Sequence, residues 1–375
     1  MDYRELFPVI DRHIWLNHAA ISPWPLPVIE SMRAFVEDNA EYGPLHYADW
    51  MKAEASLRQR GADFLGGDPD DVALIKNTSE GLSLIAAGLD WQSGDALVCC
   101  SGDFPSNLLP WRQLVPEDVE IREVPFDNVD PESGLEQALD ESVRLLAVSS
   151  VRYDSGVRLD LDRLGRAGHA AGALLVIDVI QHLGALPLDV ASAPVDFVVG
   201  GSHKWLLAPE GLALFWSRPS ARRQLKALQT GWRMWPDMFN FERVDWRAPE
   251  SARRFEPGTL NMAGVHGLNA AIGLLLSIDA RDRAEQLLDR TGWLIEGLGN
   301  IPGVELVTPS DRGRYAGIVC FKPGRLDPDD VLRKLAADSI FAAKRGPAVR
   351  LSPNFYTPKD QIEKALAAVE DAIAR

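Results

Sequence analysis

Residues 195–205 read VDFVVGGSHKW, an apolar run that ends in Ser202, His203 and Lys204 and is closed over by Trp205 and the LLAPEG that follows. A strand that is apolar along its whole length, instead of alternating, is covered on both faces, as in a parallel sheet packed between helices. The same pattern recurs upstream. DVALIKNTS (71–79), DALVCCSGDFPSN (95–107), VRLLAVSSVRYDSG (143–156) and ALLVIDVIQHLGA (173–185) each read as a buried strand running into a polar loop. SEGLSLIAAGL (79–89) reads as a helix opened by Ser79, with Glu80 in its first turn. Strands alternating with helices predict an α/β domain with a mostly parallel sheet. Ligands of such sheets bind beyond the carboxyl ends of the strands, where all these polar clusters fall.

The clusters carry specific chemistry, each with an ordinary structural use beside it. Lys204 can snorkel to solvent, or be held dry as an amine nucleophile for an aldehyde cofactor. The second use needs an acid for a ring nitrogen and donors for a phosphate. Asp178, at the end of ALLVID, either caps a helix starting at Val179 or meets a pyridinium N–H that offsets the cost of a buried carboxylate. Gln181 lies about one helical turn on, placed to donate to the ring's phenolic oxygen. Thr78 and Ser79 stand at a strand-to-helix turn, as helix caps or as a phosphate seat, with Ser202 and His203 as further donors. Phe104 packs its loop or stacks on a flat heteroaromatic ring. Arg350, between apolar neighbours in AVRLSP (348–353), pairs with a structural acid or clamps a substrate carboxylate. Of Trp50, Trp232 and Trp235, two are expected in the core.

The chain has 375 residues, enough for about two domains. Its net charge of -15 opposes a nucleic-acid or anionic-membrane surface. MDYRELFPVIDRHIWLNHAA (1–20) has no signal-peptide pattern, and no apolar run reaches the roughly 20 residues of a membrane span. Cys99, Cys100 and Cys320 have neither disulfide-framework nor zinc-site spacing. A cytoplasmic protein without a metal is expected. After about residue 265 the texture changes. GLNAAIGLLLSI (267–278), DRAEQLLDRTGWLIEGLGNI (282–301) and PKDQIEKALAAVEDAIAR (358–375) read as helices, and VELVTP (304–309), AGIVCFKP (316–323) and AVRLSP as short strands. The expected division is a large α/β domain, residues 15–265, and a small α+β domain, residues 266–375 with 1–14.

Together GGSHKWLLAPEG (200–211), VIDVIQHLGA (176–185), RFEPGTLN (254–261) and RLSPNFYT (350–357) resemble the class V, fold type I pyridoxal-phosphate (PLP) enzymes, the superfamily of cysteine desulfurases, selenocysteine lyases, kynureninases and isopenicillin N epimerase-like proteins. The likeness runs from IWLNHAAISP (14–23) to the final helix. GDFPSNLLPW (102–111) is similar to the epimerase-like and kynureninase branches, where an aromatic residue stacks on the cofactor and desulfurases carry a His. The resemblance implies a seven-stranded, mostly parallel sheet between helices. It implies Lys204 as the Schiff-base lysine, Asp178 on the pyridine nitrogen, Gln181 on the phenolic oxygen, and Thr78, Ser79, Ser202 and His203 on the phosphate. Phe104 is the stacking ring. Thr259 reaches a phosphate across a homodimer interface, Arg350 takes the α-carboxylate, and Asn17 and His18 line the substrate pocket. Two departures stand out. DSIFAAKRGPAVR (338–350) lacks the desulfurase nucleophilic cysteine and leaves little room for its long loop, and Tyr153, in VRYDSG (151–156), stands where desulfurases place an Asn.

The implied chemistry is Cα deprotonation of an amino acid bound to the cofactor in place of Lys204. A C–S lyase working by β-elimination without a persulfide cysteine is the first expectation. The alternatives are an aminotransferase, an isopenicillin N epimerase-like epimerase, a kynureninase-like hydrolase or a catalytically dead binding module. A nucleotide-binding α/β protein is disfavoured, since no glycine-rich phosphate loop is present.

Overall fold

The computed structural model describes residues 3–235, 237–242 and 247–374. A two-residue strand, β1 (Ile14–Trp15), precedes two long helices, Leu26–Tyr42 and Tyr47–Leu65. The apolar runs then form β2 (Val72–Ile75), β3 (Ala96–Cys100), β4 (Glu120–Val124), β5 (Val143–Ser149), β6 (Leu174–Asp178), β7 (Phe197–Gly201) and β8 (Ala213–Ser217). They make one seven-stranded sheet ordered β2-β8-β7-β6-β5-β3-β4. Only β8 runs antiparallel to its neighbours, so β2, β3, β5, β6 and β7 all end at one edge. β2, β3, β7 and β8 are buried along their whole length, as their unbroken apolar sequences require. β4 closes one side with charged residues on exposed or half-buried positions, the usual protection of an edge strand.

Gly81 explains how tightly the helix Thr78–Gly88 sits on this sheet. A Cβ there would lie 2.5 Å from Val199 Cγ1 in β7, so a side chain would lift the helix and its N-terminus off the strand ends.

β9 (Glu305–Leu306), β10 (Val319–Lys322), β11 (Ile340–Phe341), β12 (Ala343–Arg345) and β13 (Ala348–Leu351) build the small domain with the helices Ala280–Gly299, Pro328–Ala337 and Lys359–Ile373. β12-β13-β10-β9 form an antiparallel sheet, while β11 pairs in parallel with β1. The N-terminal residues are strapped to this domain. Phe7 stacks on Tyr356 at 3.6 Å, and Gln361 Nε2 donates to Ile10 O. The expected limit at 265/266 falls inside the helix Met262–Leu276, which packs on the two long N-terminal helices. The outermost limits, residues 1 and 375, lie outside the described residues. Trp50 and Trp235 are buried and Trp232 half-buried.

Candidate active site

The edge where β2, β3, β5, β6 and β7 end gathers the side chains that carry the chemistry. Lys204 follows β7 and is 8% exposed. Burial pulls its ammonium down to about 8, with Asp178 resisting the shift and Arg350 and Arg345 adding to it. Asp178 ends β6 and is buried, and the one hydrogen bond to its carboxylate among the described residues comes from Ile180 N at 2.9 Å. Desolvation pushes this carboxyl up to about 7. No helix begins at Val179, so Asp178 closes a turn instead of capping a helix.

Phe104 presents its ring 5.6 Å from Lys204 Nζ, and Tyr153 meets that ring edge-on at 5.2 Å. The Tyr153 carbonyl accepts from Arg350 Nη1 at 3.0 Å, and Asn17 Oδ1 lies 3.5 Å from Arg350 Nη2. Arg350 is fully buried on β13, its Nε has no partner, and no carboxylate among the described residues lies within ion-pair distance. Burial and the neighbouring Arg345 bring its guanidinium down to about 9. A desolvated cation without an acid leaves room for an anionic ligand.

The helix Thr78–Gly88 points its N-terminus at the same edge. Asn77, not Ser79, is its cap, with Oδ1 accepting from Glu80 N. Ser79 is exposed and bonded to Ser106, which ties the helix to the Phe104 loop. Thr78 is buried and its hydroxyl has no partner, although a polar atom out of water almost always has one. The half-buried His203 ring makes no hydrogen bond among the described residues, and burial keeps it neutral by lowering its basicity. Ser202 is fully buried and donates its hydroxyl proton to Pro209 O, which braces the loop after Lys204.

Gln181 donates from Nε2 to Ala19 O at 3.0 Å and accepts from Trp205 Nε1 at 2.9 Å, leaving one N–H. With Ser22 N bonded to His203 O, this straps residues 17–22 across the end of β7. His18 uses both ring nitrogens, on Ser352 O and Tyr356 Oη, and burial lowers its basicity to about 4. It anchors the strap as a neutral ring. Thr259 is exposed and lines a separate cavity of about 390 Å³ with Lys76, Glu80 and Gln229.

Sequence reasoning missed the support beneath Phe104. Asp103, buried at the end of β3, accepts from Phe104 N, Ser149 Oγ and Asn107 Nδ2, with Arg152 Nη1 at 3.5 Å. Two opposite charges at neighbouring strand ends, in GDF and VRY, were the available signal. Asp103 also faces Asp178 and helps to raise it. All three cysteines are free and buried, and desolvation raises every thiol, Cys99 and Cys320 to about 12. None is a thiolate nucleophile as placed.

The sequence model of the Aminotransferase class-V family matches residues 14–356. The chain belongs to that family. It is 30% identical to a probable cysteine desulfurase of Methanothermobacter thermautotrophicus, with 96% of this chain and 95% of that protein covered. Two solved structures of C-DES share its fold. One is a mutant with glycine covalently linked to the PLP cofactor, at TM-score 0.91 and 22% identity over 98% of this chain and 99% of that one. The other is described as the cystine C–S lyase C-DES with its reaction product cysteine persulfide, also at 0.91 and 22%, over 97% and 99%.

This class V enzyme is PLP-dependent, and its own residues fit the cofactor. The buried, unpartnered Thr78 hydroxyl suits a phosphate, the buried Asp178 carboxyl a ring nitrogen, and the dry Lys204 amine a carbonyl carbon.

Proposed function

We propose that this enzyme is a C–S lyase that cleaves cysteine- or cystine-like amino acids without a protein-bound persulfide. The observation that carries the reading is Arg350, a buried guanidinium without an acid, joined through Tyr153 and Phe104 to a desolvated Lys204 amine. The sulfur-cleaving names of its relatives support the bond type. The buried thiols and the two-residue turn between β12 and β13 argue against a persulfide relay.

Arg350 binds the α-carboxylate and turns the Cα–H bond toward Lys204. Because Lys204 is held near neutral pH, its Nζ takes that proton. PLP supplies the electron sink for the pair left at Cα. Asp178 holds the positive charge at the ring nitrogen, and Thr78, with His203, holds the phosphate. The Cβ–S bond then breaks with its electrons on sulfur. The three-carbon fragment takes up water and leaves as pyruvate and ammonia.

The enzyme works as a homodimer in this reading, with Thr259 contributing to the partner's phosphate site. Its exposure supports this, as does the apolar groove of Pro105, Leu109 and Leu114 beside Ser79. The deciding experiment incubates PLP-loaded protein with cystine and cysteine and measures pyruvate and released sulfur. Stoichiometric pyruvate is expected. Exchange of the substrate α-hydrogen with solvent deuterium, without any pyruvate, overturns the lyase in favour of an epimerase or transferase.

A further inference from the structure

The ring of Phe104 is 40% exposed, so apolar packing alone does not fix its tilt. Its orientation comes from the backbone that carries it and from Tyr153, which meets it edge-on at 5.2 Å. Both supports converge on Arg152. On one side, Arg152 Nη2 donates to Gly102 O at 2.8 Å, and Nη1 lies 3.5 Å from Asp103 Oδ1. These are the two residues that precede Phe104. On the other side, Arg152 directly precedes Tyr153, and its Nε and Nη2 donate to Asp154 at 3.1 and 2.7 Å. Its own backbone is held too, with N bonded to Val157 O and Gly156 N bonded to its O. The guanidinium lies 4.4 Å over the half-buried Phe126 ring, a stacking that sets its plane.

Arg152 and Asp103 are both buried. A buried ion pair adds little net stability, because desolvation of the two charges offsets their attraction. What this pair supplies is geometry. Asp103 is fixed from three further directions, by Phe104 N, Ser149 Oγ and Asn107 Nδ2. Gly102, whose carbonyl Arg152 holds, takes the left-handed φ of +64° that favours glycine. One side chain thus clasps the loop after β3 to the loop after its neighbour β5. Arg152 bonds neither Lys204 nor Asp178 among the described residues, so its route to the chemistry runs through Phe104.

We propose that Arg152 is a positioning residue: by clasping Gly102 and Asp103 to the Tyr153 loop, it sets the tilt at which Phe104 faces the PLP ring. This rests on the reading of Phe104 as the stacking ring, and it holds whichever substrate bond is cleaved. Aromatic rings attract over a narrow range of offsets and angles, so a tilted Phe104 loses part of its hold on the cofactor.

The test is a double-mutant cycle of Arg152→Met and Phe104→Leu, read on the rate at which loaded enzyme releases PLP. Arg152→Met should release it about 2- to 10-fold faster, the range of one aromatic pair. The visible circular dichroism of the bound cofactor, which reports asymmetry around its ring, should weaken. In the Phe104→Leu background the same substitution should change neither quantity. Arg152→Lys keeps the charge without the planar fork and should recover only part of the loss. Arg152→Met leaves Asp103 buried and unpaired, so the comparison is repeated with Arg152→Met/Asp103→Asn, which removes both charges. This variant should unfold in urea close to wild type and still show weakened dichroism and faster release. Wild-type dichroism and release in it overturn the proposal, and so do effects of Arg152→Met that are equal in both backgrounds, the mark of a merely structural residue. If Phe104→Leu itself holds PLP as wild type does, the stacking reading fails and the proposal falls with it.

Discussion

Asp178 shows how one residue trades stability for function. Its carboxyl rises from 3.8 to about 7 through burial, so between those values the folded state binds the proton that the unfolded state has released. Stability therefore falls as pH climbs through that window, and the loss is complete above about 7. Asp178→Asn keeps the shape and removes the titration. In cofactor-free protein, melts should coincide for wild type and variant at about pH 4, and the variant should melt higher at about pH 8. Parallel melts across the range would show that the buried carboxylate costs nothing. With PLP restored the order reverses, because the anion opposite the ring nitrogen is gone. Turnover of Asp178→Asn should drop about 100-fold or more.

At the scale of elements, the start of the helix Thr78–Gly88 separates a cap from a ligand site. Asn77 satisfies the helix, which leaves the buried Thr78 hydroxyl with nothing to bond within the chain. Thr78→Val keeps the branched shape and discards that hydroxyl. The cofactor-free variant should be as stable as wild type or up to about 1 kcal/mol more so, while PLP should dissociate at least about 10-fold faster. A destabilised variant with normal PLP retention would make Thr78 a packing residue. Elements were legible in proportion to their burial. VDFVV and ALLVI announced themselves because both faces of the strands are covered. VELVTP shrank to Glu305–Leu306, since Val307 N and Thr308 N both turn to Cys320 O and the Thr308 hydroxyl bonds Ser155 O. One carbonyl shared by two backbone N–H groups, with a side-chain bond beside it, interrupts the ladder there and leaves no periodicity to read. Ser79 was mistaken for the cap because Asn77 and Ser79 are equally good capping residues two positions apart. The pairing of β1 with β11 is too short to leave any pattern.

At the scale of the molecule, the site is one sheet edge closed from outside the sheet. Lys204, Asp178, Thr78 and Phe104 could be placed on that edge from strand order alone. The strap of residues 17–22 and the approach of Arg350 to Tyr153 depend on long-range register that no local pattern carries. In the proposed dimer Thr259 would extend this to a second chain; in its own chain it is exposed and lines a cavity with Lys76 and Glu80. If each site borrows Thr259 from its partner, then Lys204→Ala and Thr259→Ala fall in the same site when carried on different chains. A co-expressed mixed dimer would then contain one site with both residues native and one with neither. Such dimers, isolated with two affinity tags, should hold one PLP each as tightly as wild type holds two, whereas Lys204→Ala dimers should release theirs and Thr259→Ala dimers should retain it weakly. If Thr259 serves only its own chain, the mixed dimer has no fully native site, and its PLP should leave as fast as from Thr259→Ala.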